Sequence, residues 1–96
     1  MDINDTLRHI DVMNIFMESP FSTIPTAEIE RRLGLSHHPT FRKLKILEGN
    51  GVLVKQKGGY MLNVQDETVI EIMRFLSSLH KIQGNRTKNA QAKRDR

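Results

Sequence analysis

The chain has no cysteine and no tryptophan, only one tyrosine and three prolines, and its apolar runs are a few residues long at most. Lacking cysteine, it has no disulfides, thiolate metal sites, thiol nucleophiles or haem attachment, which fits a reducing compartment. Lacking a run of about 18 apolar residues, it carries no transmembrane-helix signal. Its first residues, Met1-Asp2-Ile3-Asn4-Asp5, have neither the basic flank nor the apolar stretch of a signal peptide, so the chain is expected to be soluble and cytoplasmic. There is no Gly-rich phosphate loop, no G-x-S-x-G turn and no H-E-x-x-H pair, and no enzymatic activity is expected. The histidines are His9, His37, His38 and His80. A helix turns the neighbours His37 and His38 about 100° apart, and no spaced carboxylate completes a set, so neither a metal nor another cofactor is expected.

What is present suits one domain. At 96 residues and 38% hydrophobic content, one modest core is the limit. A chain this small leaves much of its surface wet, and a second copy is a natural way to cover more apolar area. The methionines and phenylalanines fall mostly on helical apolar faces, which makes them core or seam before ligand pocket.

Charge is concentrated along the chain. Residues 1–30 hold one base, Arg8, against the acids Asp2, Asp5, Asp11, Glu18, Glu28 and Glu30. Residues 31–57 reverse the balance, with Arg31, Arg32, Arg42, Lys43, Lys45, Lys55 and Lys57 against Glu48 alone. A basic segment flanked by acidic or neutral ones is what a polyanion-facing surface looks like in sequence, although a solvated charged face has the same composition.

Over 5–18 the residues Leu7, Ile10, Met13, Phe16 and Met17 recur at three and four, predicting one amphipathic helix that Ser19-Pro20 ends. After a loop, Thr26 is expected to N-cap a short second helix that runs through Ile29 and Leu33 and stops at Gly34. Ser36 is a second expected N-cap, with Pro39 in the first turn of a third helix over 37–48. Thr40, Phe41, Leu44 and Leu47 are assigned to its core side, and His38, Arg42 and Lys45 cluster opposite at helical spacing. The runs 52–56 and 60–64, joined by Lys57-Gly58-Gly59, predict a β-hairpin within 52–64. Asp66 caps a fourth helix over 67–83, with Gly84 as its stop.

That last helix carries more apolar residues than one stripe needs. Val69, Ile72, Leu76 and Leu79 have the rhythm of a helix seam and are assigned to a dimer interface, leaving Ile70, Met73 and Phe75 for another neighbour. The alternative is that all of them pack inside one copy. The expected organisation is therefore a domain over 1–84, whose helix over 66–83 pairs two copies, and a basic, disordered tail over 85–96 that grips phosphate or is merely solvated.

The order helix, helix, glycine, helix, β-hairpin, helix, together with Leu33-Gly34-Leu35-Ser36, Leu44 and Leu47-Glu48-Gly49-Asn50-Gly51-Val52-Leu53, resembles a winged helix-turn-helix transcriptional regulator. The nearest likeness is to the ArsR/MarR-type repressors and their archaeal and viral relatives. The resemblance covers about 5–82 and implies a mainly α fold with a small β-hairpin, in which the third helix reads DNA and the hairpin is the wing. Pro39 and Phe41 depart from it, standing where such helices more often carry small hydroxyl residues. A phenylalanine there packs inward or touches a thymine methyl, and offers no hydrogen bond.

A helix fits the major groove of B-DNA, where arginine forms two bonds to guanine. Arg42 is the strongest candidate, His37, His38 and Lys45 share its face, and Lys43 suits the phosphate backbone. As N-caps, Thr26 and Ser36 would sit beside exposed backbone N–H groups that attract phosphate. Lys55 and Lys57 would place the wing on adjacent backbone or in the minor groove. Arg31 and Arg32 suit the solvated end of the second helix. The expected function is thus a homodimeric, sequence-specific regulator of transcription that binds double-stranded DNA. Two rivals share the fold: a protein-interaction module whose basic face meets acidic side chains, and a chromatin-like binder without sequence preference.

Overall fold

The structure is a computed structural model, described here for residues 1–79. Its elements in order are helices α1 (Ile3–Leu7), α2 (Ile10–Met17), α3 (Thr26–Leu33) and α4 (His37–Gly49), then strands β1 (Leu53–Gln56) and β2 (Gly59–Leu62). A further helix, α5, covers 67–79. The expected helix end at Gly84 and the basic tail over 85–96 lie outside the described residues.

The single helix expected over 5–18 is two. Asp2 caps α1 by accepting from the Asp5 N–H at 3.1 Å, and the chain turns at Arg8-His9, where His9 leaves helical geometry (φ −114°, ψ 33°). The apolar spacing runs unbroken across this turn, yet Leu7 is exposed, whereas Thr6 is fully buried and donates its hydroxyl proton to the Asp2 carbonyl at 3.0 Å. Asn50, just past α4, completes the contact through Nδ2, which lies 3.3 Å from the Asp2 carbonyl and 3.4 Å from the Thr6 hydroxyl. α1 is thereby held against α4 instead of extending α2.

α2 is apolar around most of its circumference, with Val12, Met13, Ile15 and Phe16 all buried. That pattern marks an interior helix, not one with a single greasy stripe. One hydrophobic cluster gathers these residues with Ile29 of α3, Leu44 and Leu47 of α4, Leu53, Tyr60 and Leu62 of the hairpin, and Val69, Ile72 and Leu76 of α5.

α3 ends as its sequence predicts, with Gly34 in the left-handed region (φ 68°, ψ 27°) and the Leu35 N–H reaching back to the Glu30 carbonyl at 3.2 Å. Two residues later α4 begins. β1 and β2 pair antiparallel in the register Leu53↔Leu62 through Gln56↔Gly59, so the turn is Lys57-Gly58. Gly58 has φ 93° and Lys57 a negative φ, the sign pattern of a type II turn.

Gly59, expected in the turn, is instead the first residue of β2, and its hydrogen is required there. Tyr60 exchanges two backbone hydrogen bonds with Ile24, at 2.8 and 3.0 Å, which draws the segment before α3 onto the hairpin edge. A Cβ at residue 59 would lie 2.1 Å from the Ile24 carbonyl oxygen and 2.9 Å from the Pro25 Cα. The hairpin is thus tied to the start of α3 by a contact that only glycine permits.

Asp66 caps α5 as predicted, accepting from the N–H groups of Thr68 (2.8 Å) and Val69 (3.2 Å). The assignment of its apolar residues needs correction. Val69, Ile72 and Leu76, expected on a seam between two copies, are 0%, 8% and 2% exposed within the single chain, and only Leu79 of that set is accessible, at 38%. All three buried residues belong to the one hydrophobic cluster that also takes in α2 and the hairpin. Phe75, at 55%, and Leu79, one turn further on, form the accessible apolar pair of α5.

Candidate nucleic-acid interface

α4 presents one face to the core and the other to solvent. Thr40, Leu44 and Leu47 are fully buried at helical spacing, and His37, His38, Phe41, Arg42 and Lys45 lie exposed on the rest of the helix. Arg42, His38 and Lys45 therefore project outward, as their spacing predicts. Phe41 does not join the core. It is 39% exposed because Thr40, Leu44 and Leu47 already fill the inward stripe, and Phe41 is turned about 100° from Thr40.

Phe41 is instead the centre of a surface cluster. Its ring stacks on the His37 imidazole with centroids 5.8 Å apart and planes 28° from parallel, and the Lys45 ammonium lies 5.3 Å from its centroid. His37 is steadied from α3, its Nδ1 being 2.8 Å from Glu30 Oε1. The sequence held a clue to Phe41, since positions 37, 41 and 45 share a helical row. It held none to Glu30, which meets His37 only because the Gly34 turn folds α4 back against α3.

The basic residues do not act as one group. Arg31 pairs with Glu28 at 2.5 Å, Arg32 with Glu18, and Lys45 with Glu48 at 3.1 Å. Lys43, expected on phosphate, has partners within the chain. It leaves α4 toward α2, with Nζ 3.3 Å from Asp11 Oδ2 and 3.4 Å from His9 Nδ1, and its side chain is 23% exposed. Burial, and then the neighbouring Lys43 ammonium, hold the His9 imidazole below its ordinary value of 6.5, while Asp11 opposes the shift. A neutral His9 accepts from Lys43, so α2 and α4 are joined by a carboxylate, an ammonium and an uncharged ring.

Among the described residues, the cations that remain exposed without a side-chain partner on this segment are Arg42 on α4, Lys55 on β1 and Lys57 at the hairpin turn. The helix starts also differ from expectation. Thr26 is not a cap but the first residue of α3, because Pro25, already extended at ψ 147°, holds the cap position. Ser36 does occupy the cap position of α4, with ψ 176°, and it is exposed, but its side chain makes no capping hydrogen bond.

No group of three metal-ligating side chains gathers among the described residues, and no described helix is long and apolar enough to cross a membrane. Chemically, the described surface offers one free guanidinium on α4, two free ammonium groups on the hairpin, and an aromatic ring on α4 stacked with a histidine that meets Glu30 of α3. Comparison with protein-family models, curated proteins and solved structures gives no match to this chain.

Proposed function

We propose that this chain is a winged helix-turn-helix regulator of transcription that binds double-stranded DNA, with α4 in the major groove and the β1–β2 hairpin as the wing. The observation that carries the reading is Arg42. It is exposed and unpaired among the described residues, on a helix whose opposite side is fixed in the core by Thr40, Leu44 and Leu47. A guanidinium on a rigid helix is suited to the paired acceptors of guanine, and Lys55 and Lys57 are suited to phosphate. The Ile24–Tyr60 bridge supports the designation, since it gives the hairpin a third, short backbone partner and fixes it beside the two helices. The surface ion pairs of Arg31, Arg32 and Lys45 are weak and exchangeable for phosphate.

We extend the proposal to a homodimer that contacts a pseudopalindrome, with half-sites about 10 bp apart. Its apolar contact on α5 is Phe75 with Leu79, in place of the buried Val69, Ile72 and Leu76.

Enrichment of duplexes from a random pool, followed by gel shifts, tests the reading. Arg42→Ala should weaken the enriched duplex by about 1–3 kcal/mol and relax preference at one base pair, and wild-type affinity should fall steeply with salt. An Arg42→Ala variant that binds every duplex like the wild type would remove α4 as the reading helix. One observation favours a second reading, a protein-docking module: most bases on this segment already meet carboxylates of the same chain. Such a module would pass through heparin and random duplex at low salt, where a DNA-binding protein is retained.

A further inference from the structure

Phe41, 39% exposed, is the large apolar side chain of the exposed first half of α4, and Ile46, equally exposed, lies five residues further on. Phe41 is flanked one turn before by His37, one turn after by Lys45, and directly by Arg42. An apolar ring left in water at that place gains from an apolar partner. The His37 stack and the Lys45 ammonium hold the ring in one orientation, so little side-chain freedom is lost when it is covered. The bases around it favour a polyanionic partner over an apolar protein surface. On the base edges of the major groove the apolar group is the C5-methyl of thymine.

We infer that Phe41 is a specificity-determining residue that packs on the C5-methyl group of a thymine, so that the chain reads a thymine beside the guanine taken by Arg42. This rests on the reading of α4 as a major-groove helix. Because Phe41 and Arg42 are successive residues, separated by about 1.5 Å along the axis, the thymine lies within about two base pairs of that guanine. The two side chains then read by different physics, one by burial of a methyl group and the other by paired hydrogen bonds.

The test replaces thymine by uracil, which removes only the methyl. Each thymine of the duplex enriched by the wild-type protein is changed singly to uracil, and dissociation constants are measured by fluorescence anisotropy for wild type, Phe41→Ala and Arg42→Ala. One uracil position near the guanine should weaken wild type about fourfold, the value of one buried methyl group. Phe41→Ala should be indifferent to that change, and Arg42→Ala should keep it. Tight wild-type binding with no sensitivity to any uracil would overturn the inference and leave the DNA reading standing. Sensitivity that persists in Phe41→Ala would assign the methyl contact elsewhere. Failure of wild type to bind any duplex would overturn both. The wild-type uracil scan needs no variant, so a wild type insensitive to every uracil overturns the inference even where Phe41→Ala folds poorly, and Phe41→Leu, which keeps an apolar side chain, then replaces Phe41→Ala in assigning the contact.

Discussion

Adding a single methyl group at Gly59 tests the architecture directly. In Gly59→Ala the new Cβ would stand 2.1 Å from the Ile24 carbonyl oxygen, 2.6 Å from its carbon and 2.9 Å from the Pro25 Cα. All three are backbone atoms, so no side chain can swing aside. The segment before α3 must leave the hairpin, and both hydrogen bonds between Ile24 and Tyr60 are lost with it. At about 1 kcal/mol net each, plus displaced packing of the buried Ile24, the expected cost is about 2–4 kcal/mol. For a domain of this size that lowers Tm by roughly 10–25 °C. Gly58→Ala is the control: its φ of 93° costs about 1–2 kcal/mol, but nothing lies within 4 Å of its Cβ. Thermal melts followed by circular dichroism give the magnitudes, and amide exchange gives the mechanism. In Gly59→Ala the Ile24 and Tyr60 amides should lose protection, and in Gly58→Ala they should keep it. A Gly59→Ala protein that melts within a few degrees of wild type with both amides protected would refute the close approach of these two segments.

Three further outcomes follow from the side-chain environments. Lys43→Ala should leave DNA affinity within about twofold of wild type and lower stability by about 0.5–1 kcal/mol, because Lys43 faces Asp11 and His9; paired gel shifts and denaturant melts distinguish it from Arg42→Ala. The native His9 imidazole resists protonation relative to the unfolded chain, so its contribution to stability is complete above 6.5 and is lost as pH falls from there toward the depressed native value. Stability measured from pH 7.5 to 5 should decline accordingly, and His9→Gln should flatten the decline; an unchanged slope would exclude His9 as its source. Leu76→Asp should unfold the chain by placing a carboxylate where exposure is 2%, whereas Phe75→Asp should leave it folded and shift sedimentation toward monomer. A folded Leu76→Asp monomer would restore the seam originally expected on that face.

Local chemistry carried most of the fold. Gly34 ending α3, the glycine-bearing turn of the hairpin and the Asp66 cap each depend on a residue whose backbone or side-chain preference acts within a few positions, and each is legible in sequence. The break between α1 and α2 was not legible, because it is made by Asn50, far along the chain, and apolar spacing continues through it. Charge misled for a related reason. Bases and acids that look separate along the chain meet in space: Asp11 holds Lys43 and Glu18 holds Arg32. Linear charge counting therefore identified the basic segment but not its free members. The same holds for Phe41, whose position on α4 was fixed only once Thr40, Leu44 and Leu47 were seen to complete the inward stripe.

The link from Asn50 to Asp2 and Thr6 also determines where anything fused ahead of Met1 must emerge. It leaves the molecule beside the carboxyl end of α4, roughly 20 Å along the axis from His37. A fluorophore or affinity handle mounted there sits away from the end of the helix that carries the aromatic cluster, which makes the amino terminus a suitable attachment point for immobilising this chain.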